Sequence, residues 1–299
     1  MSFKVKSLGV ALLLVVLPAL LQAKVMLVVS SDDAYYQEIA AGFKKSFDKP
    51  YDEINLRGLE DESRRVGKNF STARPELLVV VGNLAAKMAK ESCPDCNIVF
   101  AAASNVSGIK LSGANVSGIS AQPSAAKIME NLKLVFPDAQ RVGVIYQPNF
   151  VSRDITALQA AAAKSGIKLV AEPVSQMKEI PNVLNKIIPN IDLYLMLDDP
   201  GVITDDTFPF IFMTCFQKKI PIFTTSQDIL KKCGIAGYGY SPTVLGAELA
   251  SYASDILTSK TAGGKEKPGT AKLFLNKKIA AMYNFNFSAQ ATSQGAAIQ

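Results

Sequence analysis

The chain has 299 residues, of which 48% are hydrophobic and 19% charged, with a formal net charge of +6, four Cys, no His and no Trp. This is globular composition and excludes a fibrous or disordered protein. The missing His excludes Ser-His-Asp triads, Cys-His pairs and His-based zinc sites.

Lys4 and Lys6 precede an uncharged apolar run from Leu8 to Leu21, interrupted by Pro18. The run falls short of the roughly 20 apolar residues needed to span a bilayer and has the form of a secretory signal peptide. Cleavage is expected near Ala23, with an uncleaved tether as the alternative. Removal of 1–23 leaves 276 residues and, without Lys4 and Lys6, a charge of +4. Lysine pairs at 44–45, 218–219, 231–232 and 277–278 are scattered, so no nucleic-acid partner is expected. A periplasmic, soluble monomer is expected.

From residue 24 the chain alternates strand and helix signals. KVMLVVS (24–30) is a buried-strand run, and Tyr35, Ile39, Phe43 and Phe47 then recur at helical spacing. EINLRG, a polar helical segment over 61–73, the strand ELLVVVG and the helix LAAKMAKES follow. Cys93-Pro94-Asp95-Cys96 sits after that helix rather than at its N-terminus, where a reactive thiolate would be stabilised. A local structural disulfide is expected there. The strand NIVFAAA comes next, and 105–119, with Asn-Val-Ser-Gly-Ile at 105 and again at 115, reads as a loop between domains. Runs of continuous apolar residues suit strands covered on both faces, hence an α/β fold with mostly parallel sheets.

A second alternating series begins at Pro123 with a helix bearing Ile128, Leu132 and Val135, then RVGVIYQ, an Ala-rich helix and IKLVAEPV. Helix 179–188, strand IDLYLML, a helix from about 205, IPIFTTS and GIAGYGY complete the series. Cys215 and Cys233 flank IPIFTT, and a second disulfide between them is possible. A long helix runs from Pro242 to Leu257, and TSKTAGGKEKPGT reads as an exposed linker before TAKLFLN. The expected division is 24–120 as the first part of lobe 1, 121–240 as lobe 2, 241–286 as a return mainly to lobe 1, and 287–299 as a flexible tail.

Open α/β sheets bind ligands at the carboxyl ends of their strands. Those ends carry Ser30, Ser31 and Asp32 with Tyr35 and Tyr36 beyond, then Asn83, then Ser104 and Asn105. In the second series they carry Tyr146, Gln147 and Asn149, Asp198 and Asp199, and Thr225, with Tyr240 on a strand suited to cross between lobes. These hydroxyls, amides, carboxylates and rings suit a small polar or zwitterionic molecule with an apolar ring. Asp199 has a second reading as a cap for the turn at Pro200. No G-x-G-x-x-G or Walker A pattern occurs, so no cofactor is expected, and no metal site is expected either.

Several segments carry a family resemblance in order: IVFAAAS (98–104), NVSGIS (115–120), QPSAAKIMENLKLVFPDAQRVGVIYQPN (122–149), AAAKSGIKLVAEPV (161–174), IDLYLMLDDP (191–200), KKIPIFTT (218–225) and FLNKKIAA (274–281). The chain resembles the substrate-binding proteins of ABC importers, in the family that includes tryptophan- and tyrosine-binding lipoproteins. The resemblance implies the type I periplasmic-binding-protein fold: two Rossmann-like lobes joined by hinge strands and closing on a small molecule, often an aromatic amino acid. It also implies a membrane permease as partner and a site built from Ser30 to Asp32, Ser104, Asn105, Tyr146 to Asn149, Asp198, Thr225 and Tyr240. Where family members usually carry an Asp after the fourth strand, this chain has Ser104-Asn105. Where they usually carry Asp-Asn it has Asp198-Asp199. The alternatives are a ligand sensor that signals to a membrane receptor and an exported enzyme working through carboxylates.

Overall fold

The computed structural model describes residues 25–103, 111–260 and 263–298, with the backbone alone at 71 and 150–154. The export segment, Ser104 and Asn105 lie outside the described residues. The first series runs β1 (Val25–Val29), α1 (Ala34–Ser46), β2 (Tyr51–Asn55), α2 (Glu60–Ala73), β3 (Leu77–Val81), α3 (Asn83–Ser92), β4 (Asn97–Ala101) and β5 (Val116–Ser120). The second runs α4 (Ala125–Val135), β6 (Arg141–Tyr146), α5 (Pro148–Lys164), β7 (Lys168–Pro173), α6 (Ile180–Ile187), β8 (Leu193–Met196), α7 (Thr207–Gln217), β9 (Ile222–Thr224), α8 (Gln227–Lys232) and β10 (Ala236–Gly239). The chain then returns through α9 (Pro242–Ser259), β11 (Glu266–Pro268), β12 (Lys272–Asn276), α10 (Lys277–Met282), α11 (Ala289–Gln294) and β13 (Ala296–Ile298).

These strands form two sheets, ordered β11-β5-β4-β3-β1-β2 and β13-β12-β10-β9-β8-β6-β7. Every pairing is parallel except β10 with β12. The chain passes between the sheets at 121–124, 240–241 and 269–271, so three short segments connect the lobes.

Strand alternation assigns each side chain to a layer. Val25, Leu27 and Val29 of β1 pack with Ile39 and Phe43 of α1 and Leu245 and Leu249 of α9. Met26 and Val28 point the other way, to Val66, Phe70 and Met88 of α2 and α3. The second sheet is likewise covered on both faces. Each fully buried Leu, Ile or Phe contributes about 1.5–3 kcal/mol of transfer free energy.

Where the structure departs from the sequence reading, local geometry supplies the reason. The strand expected at EINLRG starts at Tyr51 and ends at Asn55, because Arg57 and Gly58 adopt left-handed φ of 53° and 72° and turn the chain. The second Asn-Val-Ser-Gly-Ile copy is strand β5 rather than loop: Val116 and Ile119 are buried and the Phe100 ring lies over Gly118. The linker at 258–270 contains β11, which extends the first sheet. The return segment divides, with α9 and β11 joining the first lobe and β12 and α10 the second. The tail expected to be flexible forms α11 and β13, held because Ala291 is fully buried and β13 pairs with β12.

Cys93 and Cys96 form a disulfide with Cα atoms 5.3 Å apart, and both are buried. Cys215 and Cys233 correct the second disulfide expectation: both are free, buried thiols. Burial pushes each up to about 12, so both stay protonated and unreactive at neutral pH.

Two glycines let α1 and α9 cross closely. A Cβ on Gly246 would stand 2.0 Å from the Ile39 carbonyl oxygen, and one on Gly42 would stand 2.1 Å from that of Thr243. Backbone cannot yield as a side-chain end can. Gly246→Val is therefore expected to destabilise the protein by about 3 kcal/mol, read as a lower midpoint in urea unfolding.

Candidate ligand-binding cleft

The carboxyl ends of the two sheets face each other. Tyr35, from α1 of the first lobe, feels the charges of Asp198 and Asp228 of the second and the Tyr240 phenol of the connecting segment. Lys231 Nζ of α8 reaches Glu38 of α1 at 3.8 Å, an ion pair spanning the lobes.

On the first-lobe wall, Asp33 caps α1, its Oδ1 accepting from the Tyr35 backbone N–H at 2.9 Å. That cap sets the direction in which α1 presents Tyr35 and Tyr36, whose half-buried rings lie 6.0 Å apart at 58°. Gly82, with φ 90°, opens α3 beneath Tyr36: a Cβ there would lie 2.9 Å from Tyr36 Cζ and 2.5 Å from Ser30 Oγ. Asn83 is the first residue of α3 and is half-buried. Burial raises the pKa of both tyrosines, most strongly that of Tyr35, and nearby carboxylates add to the shift. Both stay phenols at neutral pH.

On the second-lobe wall, Asp198 follows β8 and remains open to solvent within the cleft. Its pKa is raised, chiefly because surrounding protein strips water from the charge and then because Asp228, Asp33 and Asp199 are negative neighbours. Its side chain is thus open to solvent on one side, while surrounding protein replaces part of its hydration. Tyr240 is buried in the segment joining β10 to α9, and burial pushes its phenol up to about 12.

Other expected residues have scaffold roles or sit at the rim. Ser30 is buried, donates its hydroxyl to the Val81 carbonyl at 2.8 Å and accepts from the Ala85 N–H at 3.0 Å. Asp199 is buried and accepts from the Gln147 and Gly201 N–H groups at 2.7 and 2.8 Å, tying the turn after β8 to the start of α5. The capping alternative for Asp199 thus describes its bonds. Gln147 donates its amide to the Ser175 carbonyl, away from the opposite lobe. Asp32 is exposed and accepts from Asn55 Nδ2 at 2.7 Å, and Ser31 Oγ accepts from the Asp33 N–H. Tyr146 and Thr225 are half-buried and Asn149 is exposed.

Three residues escaped the strand-end reading. Asp33 is the N-cap of α1, Asp228 lies in the first turn of α8 and Glu38 lies in the second turn of α1, all several residues beyond where the strands stop. The signal for Asp33 and Asp228 is an acidic residue at a helix start, which is also a common capping pattern.

The family model for ABC transporter substrate binding proteins matches residues 28–292, and the chain belongs to that family. The family carries ligands rather than catalysing reactions, and it sets the chain outside the cytoplasm. A tyrosine-binding protein of Clostridioides difficile strain R20291 is 23% identical over 230 residues, 74% of this chain and 66% of its own length. The chain thus spans just under two thirds of that relative. A ligand-free, open substrate binding protein with adhesive properties from Clostridium difficile superposes with a TM-score of 0.79 at 20% identity, over 93% of this chain and 99% of that one. An ABC domain in complex with L-Trp from Streptococcus pneumonia gives 0.72 at 20% identity, over 93% and 100%. The shared architecture is the two-lobed type I periplasmic-binding-protein fold.

Asp199→Ala removes both acceptors of two backbone N–H groups and is expected to destabilise the second lobe by about 2 kcal/mol. Denaturant unfolding followed by tyrosine fluorescence measures it.

Proposed function

We propose that the protein is the solute-binding component of an ABC importer, acting in the periplasm after cleavage near Ala23. Its ligand is a small amine-bearing molecule, aromatic or otherwise polar, held between the lobes and passed to the membrane permease. The reading rests on the two walls meeting here: Lys231 of the second lobe pairs with Glu38 of the first at 3.8 Å, and the Asp198 charge reaches Tyr35 of the opposite wall. An ammonium group between them gains a charge-assisted hydrogen bond from the carboxylate and cation–π attraction from the rings. The relatives' ligands, tyrosine and L-Trp, are both amine-bearing aromatics and agree with it.

A ligand touching both walls favours the closed arrangement over the open one by the difference in its affinity for the two. The three connecting segments are short enough to act as hinges, and Tyr240 lies in one of them. Ser31, Asp32, Asn83, Tyr146, Gln147, Asn149 and Thr225 belong to the rim in this reading, with Asp198, Tyr35, Tyr36 and Tyr240 in contact.

Asp198→Ala is expected to weaken binding about 10- to 100-fold, the equivalent of a hydrogen bond to a charged group. Titration calorimetry with the ligand recovered by native mass spectrometry measures it, and undiminished affinity removes Asp198 from the site.

The same carboxylate has a stability consequence of known sign. Its folded pKa lies above the unfolded value of about 3.9, so the folded state binds this proton more tightly. Its contribution is therefore most favourable below that value and is lost as pH rises through the raised pKa. Ligand-free Asp198→Asn should melt higher than wild type at pH 7, and the difference should vanish below about pH 4. Calorimetric melting across that range is the measurement.

A further inference from the structure

Among the described residues the sheets end in the edge strands β2 and β11 on the first and β13 and β7 on the second. β11 and β13 are three residues long, too short to template another strand. β2 is centred on Glu53 with Asp52 beside it, so a copy paired about that centre would meet like charge. β7 is different. It runs six residues in unbroken register against β6, and Leu169, Val170, Ala171 and Glu172 are half-buried. A shallow depression of about 470 Å³ follows this strand, with Arg141 and Asn190 also lining it.

Ladder geometry fixes which backbone groups that edge offers. The Lys168 N–H donates to the Gln140 carbonyl at 2.8 Å, and the Val174 N–H donates to that of Tyr146 at 2.9 Å. Strand alternation turns Val170 and Glu172 toward β6 as well, and turns the N–H and C=O groups of Leu169 and Ala171 outward. The next outward position is Pro173, which has no N–H to leave unpaired.

We propose that β7 pairs antiparallel with β7 of a second copy about a two-fold axis at Val170, joining the second sheets of two molecules into one. Leu169 then lies opposite Ala171, and each of these two symmetric pairs exchanges two backbone hydrogen bonds. Lys168 lies opposite Glu172 in the closer, non-hydrogen-bonded position, with Cα atoms about 4.5 Å apart. The strand is therefore complementary in charge to itself, as an isologous interface requires. Glu172 engages Lys186 of α6 through Oε1 at 3.1 Å, and its other oxygen serves Lys168 of the second copy. The first lobe contributes no strand to this sheet, so the lobes keep their freedom to close. The soluble monomer is the dissociated form at low concentration.

Sedimentation velocity of the mature protein from about 1 to 200 µM, the span of a small reversible interface, tests it. The mass should rise with concentration toward that of two chains. Lys168→Glu and Glu172→Lys each set like charges opposite one another in both symmetric pairs, and each should weaken association roughly tenfold. Mixed in equal amounts, the two variants restore both opposite-charge pairs, and the mixture should associate within about threefold of wild type. A wild type that stays monomeric over this range overturns the proposal. Association that both variants leave unchanged lies elsewhere on the surface and overturns it as well. Weakened variants whose mixture does not recover overturn the antiparallel register about Val170.

Discussion

Parallel strands such as Val25–Val29 and Leu77–Val81 have apolar side chains on both faces, and a sheet made of them has to be covered twice. Most of the architecture follows from that requirement. Helices alternate with strands because each crossover must lay a cover on one face. The strands have no solvent-facing side on which to carry polar chemistry, so such groups collect where the strands stop. Two sheets satisfy the requirement separately, and facing them carboxyl end to carboxyl end concentrates those groups into one cleft.

The groups at the strand ends divide by what they are bonded to. Ser30 and Asp199 hold the backbone of neighbouring turns, and a buried polar atom must be so engaged or cost the fold about 1–3 kcal/mol. Asp198, one residue before Asp199, makes no such bond among the described residues and suffers repulsion instead. Adjacent carboxylates thus serve opposite ends: one is stabilised by the fold, and the other is held in a state that the fold alone disfavours. Binding sites commonly carry this kind of unrelieved electrostatic cost.

The alternating elements were legible because continuous apolar runs and helical spacing are strong periodic signals, as in Leu77–Val81 and Ile39–Phe43. Gly-rich strands were not. β5 reads as a turn by composition, and only the fit of Phe100 over Gly118 explains why it pairs. The strands β11 and β13, three residues each, gain order from the sheet edges they join, which lies outside any local pattern. Within the cleft, residue type pointed to Asp198 and the tyrosines. The same reasoning could not separate them from Ser30, since a serine at a strand end looks alike whether it meets a ligand or the Val81 carbonyl. Pairing of Cys93 with Cys96 followed from proximity, whereas Cys215 and Cys233 depended on tertiary placement.

The α1–α9 crossing also ties the two ends of the chain together. Gly42 and Gly246 are roughly 200 residues apart, a separation that raises the loop-closure cost of this contact. Until α9 has been synthesised, Ile39 and Phe43 lack part of their cover, and the amino-terminal lobe cannot complete its helix layer. The first lobe is thus completed by a helix from the far end of the chain, and a chain cut before Pro242 lacks the cover that Leu245 and Leu249 give this layer.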